Sequence, residues 1–202
     1  MGIANRSSGT VPEWFRALLR RWLPTLLLSF GALSFGVPSS HAEPRSTQST
    51  PRQLAGFIVA VVDGDTLIAD IEGGGRQQFR LAWIDAPDLR QPQGEMSRAS
   101  LAALAAARPA VFELVGEGKG GLLAVVRIVP PELRCPTGGC PKTLDLAHAQ
   151  LSRGMAWHDR RSLGQPAQAF GQYEHAEFEA KVRRTGLWAD RNPTPPWDWQ
   201  PR

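Results

Sequence analysis

Apolar positions along the chain follow two periods, which predict five strands and three helices. Alternating apolar residues, or short runs rich in Val, Ile and Leu bounded by Gly and Asp, are typical of strands. Longer stretches rich in Ala and Leu predict helices, which end near Pro109, Gly154 and Gly186. The predicted strands cover residues 56–62, 66–71, 76–84, 110–115 and 122–129, and the predicted helices cover residues 93–107, 144–153 and 168–185.

The order of these elements indicates a fold that is mainly β with α. Five strands with a helix after the third suit a small Greek-key barrel of the OB type. We expect this domain at residues 54–188, preceded by a polar linker at 43–53 and followed by a Trp- and Pro-rich tail at 189–202. A chain of 202 residues requires no second folded domain.

Residues 1–42 are typical of an export signal. Arginines precede a mostly apolar run at residues 23–37, and Ser40-His41-Ala42 supplies the small residues of a cleavage site after position 42. The alternative is an uncleaved anchor, although the run is shorter than the roughly 20 residues that a membrane-spanning helix needs. The sequence therefore predicts a periplasmic or secreted protein that has no membrane segment after cleavage.

Two cysteines, Cys135 and Cys140, lie close together in a loop rich in Pro and Gly. Outside the cytosol such a pair can form a disulfide that stiffens the loop. Two free thiols or a metal site are the alternatives, but one pair without further Cys or a nearby His is weak zinc spacing. We expect the disulfide.

Two carboxylates interrupt a stretch that otherwise has strand character, VVDGDTLIAD at residues 61–70. Asp63, Gly64 and Asp65 are poor strand formers, and Asp-Gly is a common hairpin signal. Taken alone, the three residues predict a surface turn between the first two strands.

A second polar group follows the third predicted strand, in FRLAWIDAPDLRQPQGE. Every second residue of FRLAW is apolar, so Arg80 lies on the opposite face of that strand. The strand then ends in Asp85-Ala86-Pro87-Asp88. An exposed ion pair and a turn explain these residues separately. Their combination with the upstream carboxylates favours a shared site.

Together, these stretches resemble the staphylococcal-nuclease (thermonuclease) family of calcium-dependent phosphodiesterases. The resemblance covers residues 57–188. It is carried by the stretches VVDGDTL, then FRL and IDAPD, then QP and GE before a helix. It implies an SNase-like barrel that binds Ca²⁺ through the carboxylates of Asp65 and Asp85 and the carbonyl of Ala86. It also implies that Arg80 clamps the phosphate, with Asp63 bracing the turn.

Several positions depart from the pattern of this family. Asp88 stands where the family has a glutamate that orients or deprotonates water, and Gly121 stands where it has a second arginine. Asp159 and Ser162 stand where tyrosines contact a nucleotide. The sequence predicts that Asp88→Glu combined with Gly121→Arg raises activity by about tenfold or more, because arginines stabilise phosphoryl-transfer transition states.

Basic residues near these positions are candidates for substrate binding. Lys119, Arg127 and Arg160 are the ones we assign to phosphate contacts. His158 and Arg161 could also touch phosphate, although an exposed basic patch explains the stretch 158–161 equally well. Most of the net charge of +4 belongs to residues 1–42, so overall charge gives no independent support for nucleic-acid binding. The expected substrate is DNA or RNA bound through its backbone, and we expect a monomer.

The tail carries tryptophans and prolines that cannot continue a helix. Trp188, Trp197 and Trp199 would form an exposed apolar patch if the tail extended into water. Either the tail packs on the barrel or it awaits a partner. We expect it to pack, because a buried indole offers a large apolar surface.

Three functional hypotheses follow from the sequence. The first is an exported calcium-dependent nuclease, with reduced activity because Asp88 and Gly121 replace the family's residues. The second is a degenerate nuclease fold that binds nucleic acid or protein without cleaving it. The third, a structural envelope protein, has only the tail to support it.

Overall fold

The computed structural model describes residues 52–118, 120–134 and 139–200. Within these ranges the chain forms eight strands, three of them only two residues long, together with three α-helices and two short 3₁₀ helices. The strands are β1 (Gln53–Val61), β2 (Thr66–Ile71), β3 (Gly75–Leu81), β4 (Ile84–Asp85), β5 (Pro109–Gly118), β6 (Gly121–Ile128), β7 (Leu144–Asp145) and β8 (Trp157–His158). The helices are α1 (Gly94–Ala105), α2 (Leu146–Ser152) and α3 (Ala167–Arg183), and the 3₁₀ helices are Gly186–Ala189 and Pro196–Asp198.

The five long strands close into a barrel. Their order is β3-β2-β1-β5-β6, with antiparallel neighbours, and parallel pairing of β3 with β6 closes the ring. The stacked rings of Phe79 and Phe112, whose centroids are 4.3 Å apart, lie in the buried core. The predicted OB-type, SNase-like barrel with three helices is confirmed.

The third strand ends earlier than its alternating pattern predicts. Leu81 is its last residue, because Trp83 adopts a left-handed backbone with φ of 61° and breaks the ladder. Pairing resumes at β4, where Ile84 and Asp85 lie opposite His158 and Trp157 of β8. This break and the new pairing fix the position of Asp85.

The second predicted helix begins two residues later than expected, whereas the third begins one residue earlier. Leu144 and Asp145 pair with β6 as the short strand β7, and α2 begins at Leu146. Asp145 caps α2, since its Oδ1 accepts hydrogen bonds from the backbone of Ala147 (2.9 Å) and His148 (3.2 Å). α3 ends at Arg183, before Arg184 turns into a left-handed conformation.

The tail packs against the domain, as expected from its tryptophans. Gln91 Nε2 donates to the carbonyl of Thr194 at 2.5 Å, which attaches the tail to the segment before α1. The ring of Trp197 packs edge-on against Trp157 at 6.4 Å, and Arg90 lies 5.8 Å from the ring of Trp199.

Removing the tail should therefore destabilise the domain. A chain ending at Asp190 is expected to lose about 1–3 kcal/mol of unfolding free energy, or several degrees in melting temperature, because apolar contacts are lost. Thermal unfolding followed by circular dichroism measures this change, and a chain ending at Gln200 serves as the control. An unchanged melting temperature in the shorter chain would show that the contacts of the tail do not stabilise the domain.

Some sequence-based predictions lie outside the described residues: the export signal at 1–42, nearly all of the linker at 43–53, and the residues Cys135 and Lys119. The disulfide between Cys135 and Cys140 therefore stays a prediction. Gln53, which the sequence assigns to the linker, instead begins β1 and pairs with Glu113. None of the helices in the described ranges is both long enough and apolar enough to cross a membrane.

Candidate active site

The turn between β1 and β2 is held in one conformation by its own side chains. Asp63 Oδ1 accepts a hydrogen bond from the backbone N–H of Asp65 at 3.0 Å, so Asp63 braces the turn. Gly64 is required by close packing, since a Cβ atom there would lie 2.0 Å from Ser97 Oγ. Gln150 Nε2 donates to the carbonyl of Gly64 at 2.8 Å and ties the turn to α2.

Asp65 follows this turn and is only 4% exposed. Its Oδ2 accepts the backbone N–H of Ala86 at 2.9 Å, and its Oδ1 accepts the hydroxyl of Thr66 at 2.8 Å. The first bond joins the β1–β2 turn to the segment after β4. The two polar groups of the sequence thus meet in space, as the resemblance implies.

Arg80 bridges the two carboxylates that the sequence singles out. Its Nη2 lies 3.2 Å from Asp65 Oδ2 and 2.5 Å from Asp85 Oδ1. β3 carries Arg80 and β4 carries Asp85, so the break after β3 turns the carboxylate back toward the guanidinium. A second guanidinium, that of Arg161, reaches Asp85 Oδ2 at 3.4 Å.

Burial dominates the electrostatics of the carboxylates. It raises the pKa of Asp65 to about 7, although the positive charge of Arg80 opposes this rise and the charge of Asp63 adds to it. Burial also raises the pKa of Asp85, again against the charge of Arg80. Keeping both buried carboxylates ionised therefore costs free energy. A bound cation would offset that cost.

An open cleft of about 500 Å³ adjoins this charged cluster. Such a volume accommodates a small ligand or a segment of a larger one. Its lining consists of Val62, Asp63, Asp65, Thr66, Gln78, Arg80, Asp85, Ala86, Pro87, Asp88, Arg90, Gly120, Pro196, Trp197 and Trp199.

Asp88 lines the cleft, and its side chain is 46% exposed. Asp88 Oδ1 accepts the backbone N–H of Arg90 at 2.9 Å, which orients the carboxylate within a tight turn. A second turn contact runs from the N–H of Gln91 to the carbonyl of Asp88 at 2.8 Å. The carboxylate thus lines the same cleft as Asp65, Arg80 and Asp85, while its Oδ1 also lies 3.5 Å from Arg90 Nε.

The structure changes the prediction for Gly121. Its φ is 131°, and a Cβ atom there would lie 2.5 Å from the carbonyl oxygen of Gln78. Side-chain-bearing residues rarely adopt this backbone conformation, and the close contact is with backbone that cannot move freely. An arginine at position 121 therefore cannot simply restore the family's arrangement.

We now expect Gly121→Arg to lower the melting temperature and to leave activity no higher than in the unsubstituted protein. The strain is on the order of 1–3 kcal/mol, which corresponds to several degrees for a domain of this size. Asp88→Glu is the control for stability alone, because Asp88 is half exposed and its replacement introduces no backbone strain. Thermal unfolding and kcat/KM of both variants test this expectation, and a faster Gly121→Arg variant of normal stability would contradict it.

Two residues assigned to substrate binding lie elsewhere. Arg127 on β6 pairs with Glu113 at 2.9 Å, and Arg160 pairs with Glu177 at 2.8 Å, so neither lines the cleft. The Arg160 pair is structural, since the same carboxylate of Glu177 accepts the backbone N–H of His158 at 3.1 Å. These two residues do not reach the site, because each side chain is paired with a carboxylate on a neighbouring strand or helix.

Residues outside the assigned set lie at the cleft or beside it, and among them Arg161 contacts the charged cluster without lining the cleft. Arg161 contacts Asp85 and lies 4.0 Å from the ring centroid of Trp197, while Arg90, Trp197 and Trp199 line the cleft. Arg160 and Arg161 are adjacent and chemically identical, so no local signal separates them. The tryptophans reach the cleft only because the tail packs back.

The donor set fits a hard cation such as Ca²⁺, which prefers carboxylate and carbonyl oxygens in a loose shell. Asp65 and Asp85 supply carboxylates within reach of one common point, and the carbonyl of Ala86 follows them in sequence. In the described part of the chain, no group of three or more His, Cys, Asp or Glu side chains is placed to hold a metal. Further ligands would have to be water or substrate oxygens.

An OB-type barrel with two carboxylates and an arginine at an open cleft is the arrangement that the resemblance to the nuclease family implies. The chain is 36% identical over 148 residues to a micrococcal nuclease of Shigella flexneri, covering 72% of this chain and 79% of that protein. It is 28% identical to an uncharacterized endonuclease of Haemophilus influenzae, with 71% of each chain covered. It is 24% identical to a probable staphylococcal-like nuclease of Oryza sativa subsp. japonica, covering 80% of this chain and 44% of that protein.

The chain therefore belongs to the staphylococcal-nuclease-like family. No family model matches it.

Proposed function

We propose that the protein is an exported, calcium-dependent phosphodiesterase that hydrolyses DNA or RNA. One observation carries the proposal: a single guanidinium nitrogen of Arg80 lies 3.2 Å from a carboxylate oxygen of Asp65 and 2.5 Å from one of Asp85, beside an open cleft. Relatives named as nucleases and endonucleases support a nucleic-acid substrate.

Asp65, Asp85 and the carbonyl of Ala86 are the groups that would hold the cation. Asp65 is kept in place by the backbone of Ala86, and Asp85 by the pairing of β4 with β8, so both carboxylates are preorganised. When bound, a divalent cation would offset the negative charge that develops on the phosphate oxygens during hydrolysis.

The guanidinium groups and Asp88 would perform the remaining tasks. In this structure Arg80 donates through Nε and Nη2 to the two carboxylates, so its planar fork would turn from them to bind two phosphate oxygens in the cleft. Asp88 would orient the attacking water and accept its proton as the water attacks phosphorus, while one ester bond breaks and the leaving oxygen takes up a proton from solvent. Arg161 lies 3.4 Å from Asp85 and would supply a second positive charge, which Gly121 cannot supply.

One observation favours a binding module as the second candidate. The backbone at Gly121 leaves no space for a side chain, so the second arginine of the family is absent from that place. If Arg161 does not compensate, the cleft would bind a phosphodiester without cleaving it at a useful rate.

A cleavage assay separates the two candidates. Purified protein is incubated with labelled single-stranded DNA, or with RNA of the same sequence, in Ca²⁺, Mg²⁺ or excess chelator. We expect cleavage in Ca²⁺ and none in chelator. Salt-dependent binding without cleavage in any condition would favour the binding module, and cleavage that persists in chelator would contradict calcium dependence.

A further inference from the structure

Two tryptophans of the tail, Trp197 and Trp199, form part of the cleft beside the charged cluster. They are the aromatic residues among the described residues that line it. The rest of the lining is mainly polar and includes the carboxylates of Asp65 and Asp85 and the guanidinium of Arg80. The cleft thus combines a site suited to a phosphodiester with a neighbouring apolar surface.

The indole of Trp197 is held in place yet remains open to solvent. Arg161 lies 4.0 Å from its ring centroid, and Trp157 packs edge-on against it at 6.4 Å. Even so, 40% of Trp197 is exposed, which is a large fraction for a bulky aromatic side chain. Arg90 lies over the ring of Trp199 at 5.8 Å in the same way.

The tail that carries these tryptophans is rigidly built. Pro195 caps the 3₁₀ helix Pro196–Asp198 and Pro196 begins it, so both restrict the backbone there, and Thr194 accepts the hydrogen bond from Gln91. A ligand that stacks on these rings would therefore lose little free energy to ordering the tail.

Two indoles, each with a guanidinium group beside it, fit a single strand of nucleic acid. Each base presents a π-face that stacks on an indole whatever its identity, while arginines neutralise the neighbouring phosphates. Bases in a duplex already stack on one another and cannot reach an aromatic wall without being unpaired. The chemistry therefore selects an unpaired strand.

We propose that Trp197 and Trp199 stack on bases of a single-stranded nucleic acid whose phosphate lies at Arg80. The proposal rests on the proposed function and names the form of its substrate. Trp197 contributes more to the binding of bases than Trp199 does. The reason is that Arg161, which contacts Asp85, also holds the ring of Trp197 beside the charged cluster.

The test compares two short labelled strands of equal length, one of oligothymidylate and one abasic, by fluorescence anisotropy at low salt in excess chelator. Trp197→Ala should weaken binding of oligothymidylate by about 5- to 100-fold, the range for losing one stacked base. Its binding of the abasic strand should not change. Trp197→Phe should retain most of the affinity, because phenylalanine keeps a stacking face.

Phe178→Ala is the matched control, because Phe178 is an exposed aromatic residue on α3 that does not line the cleft. This variant should bind both strands as the unsubstituted protein does. If Trp197→Ala weakens both strands equally, or neither, the stacking role is wrong while the nuclease assignment stands on the cleavage assay. An unsubstituted protein that binds neither strand, and cleaves none in Ca²⁺, overturns both proposals.

Discussion

Replacing Arg80 by alanine is expected to reduce kcat/KM on single-stranded DNA by about 10³-fold or more. Arginines that contact the transferring phosphoryl group contribute about 10³ to 10⁵ in rate in other phosphoryl-transfer enzymes. Arg80 is the guanidinium shared by Asp65 and Asp85, and it faces the cleft with part of its side chain exposed. Steady-state cleavage of a labelled strand in Ca²⁺ measures the effect.

Two further variants show whether the effect belongs to this position. Arg80→Lys keeps the charge but loses the planar fork, so its kcat/KM should fall between those of Arg80→Ala and the unsubstituted protein. Arg76→Ala removes an exposed arginine of the same strand, paired with Asp70, and should leave kcat/KM unchanged. A loss of less than about tenfold in Arg80→Ala would mean that another group binds the phosphate.

Asp65→Asn and Asp85→Asn should each weaken Ca²⁺ binding by about 100-fold or more and abolish calcium-dependent cleavage. Each substitution replaces a negatively charged ligand by a neutral amide, and even changes outside the ligand shell cost metal sites about 10- to 100-fold in affinity. The amide keeps the size of the side chain, so the barrel should remain folded. Titration calorimetry with Ca²⁺ measures the affinity, and circular dichroism confirms the fold.

An exposed carboxylate provides the control for this pair. Asp70 on β2 is paired with Arg76 and lies outside the cleft, so Asp70→Asn should bind Ca²⁺ like the unsubstituted protein. Unchanged Ca²⁺ affinity in both Asp65→Asn and Asp85→Asn would overturn the assignment of the cation site. Loss in only one of them would assign the cation to that carboxylate alone.

The alternation of apolar residues predicted the long strands beside the site, but not the short strand β4 that carries Asp85. FRLAW placed Arg80 on the face opposite the core, and the resemblance to the family assigned Asp65 and Asp85 as ligands. Periodicity succeeds here because strand geometry is local: successive side chains point to opposite faces whatever the fold around them. Adding the resemblance predicted that the two carboxylates would meet, and in the structure Arg80 joins them.

The sequence pattern did not predict the backbone conformation of single residues. The pattern extended the third strand to position 84, but the left-handed Trp83 ends its ladder and redirects Asp85 to β4. Gly121 looked like a missing arginine that substitution would restore, whereas its φ of 131° and the carbonyl of Gln78 exclude a side chain. Such conformations depend on neighbours distant in sequence, and no local pattern encodes them.

Sequence therefore determined the order of the barrel strands and the residue types at the charged cluster, since both depend on local spacing and chemical identity. Only the tertiary structure decided which basic and aromatic residues join that cluster. Arg160 turns to Glu177 while its neighbour Arg161 turns to Asp85, and Trp197 enters the cleft from the far end of the chain. The physical reason is that such contacts form between segments that only the folded chain brings together.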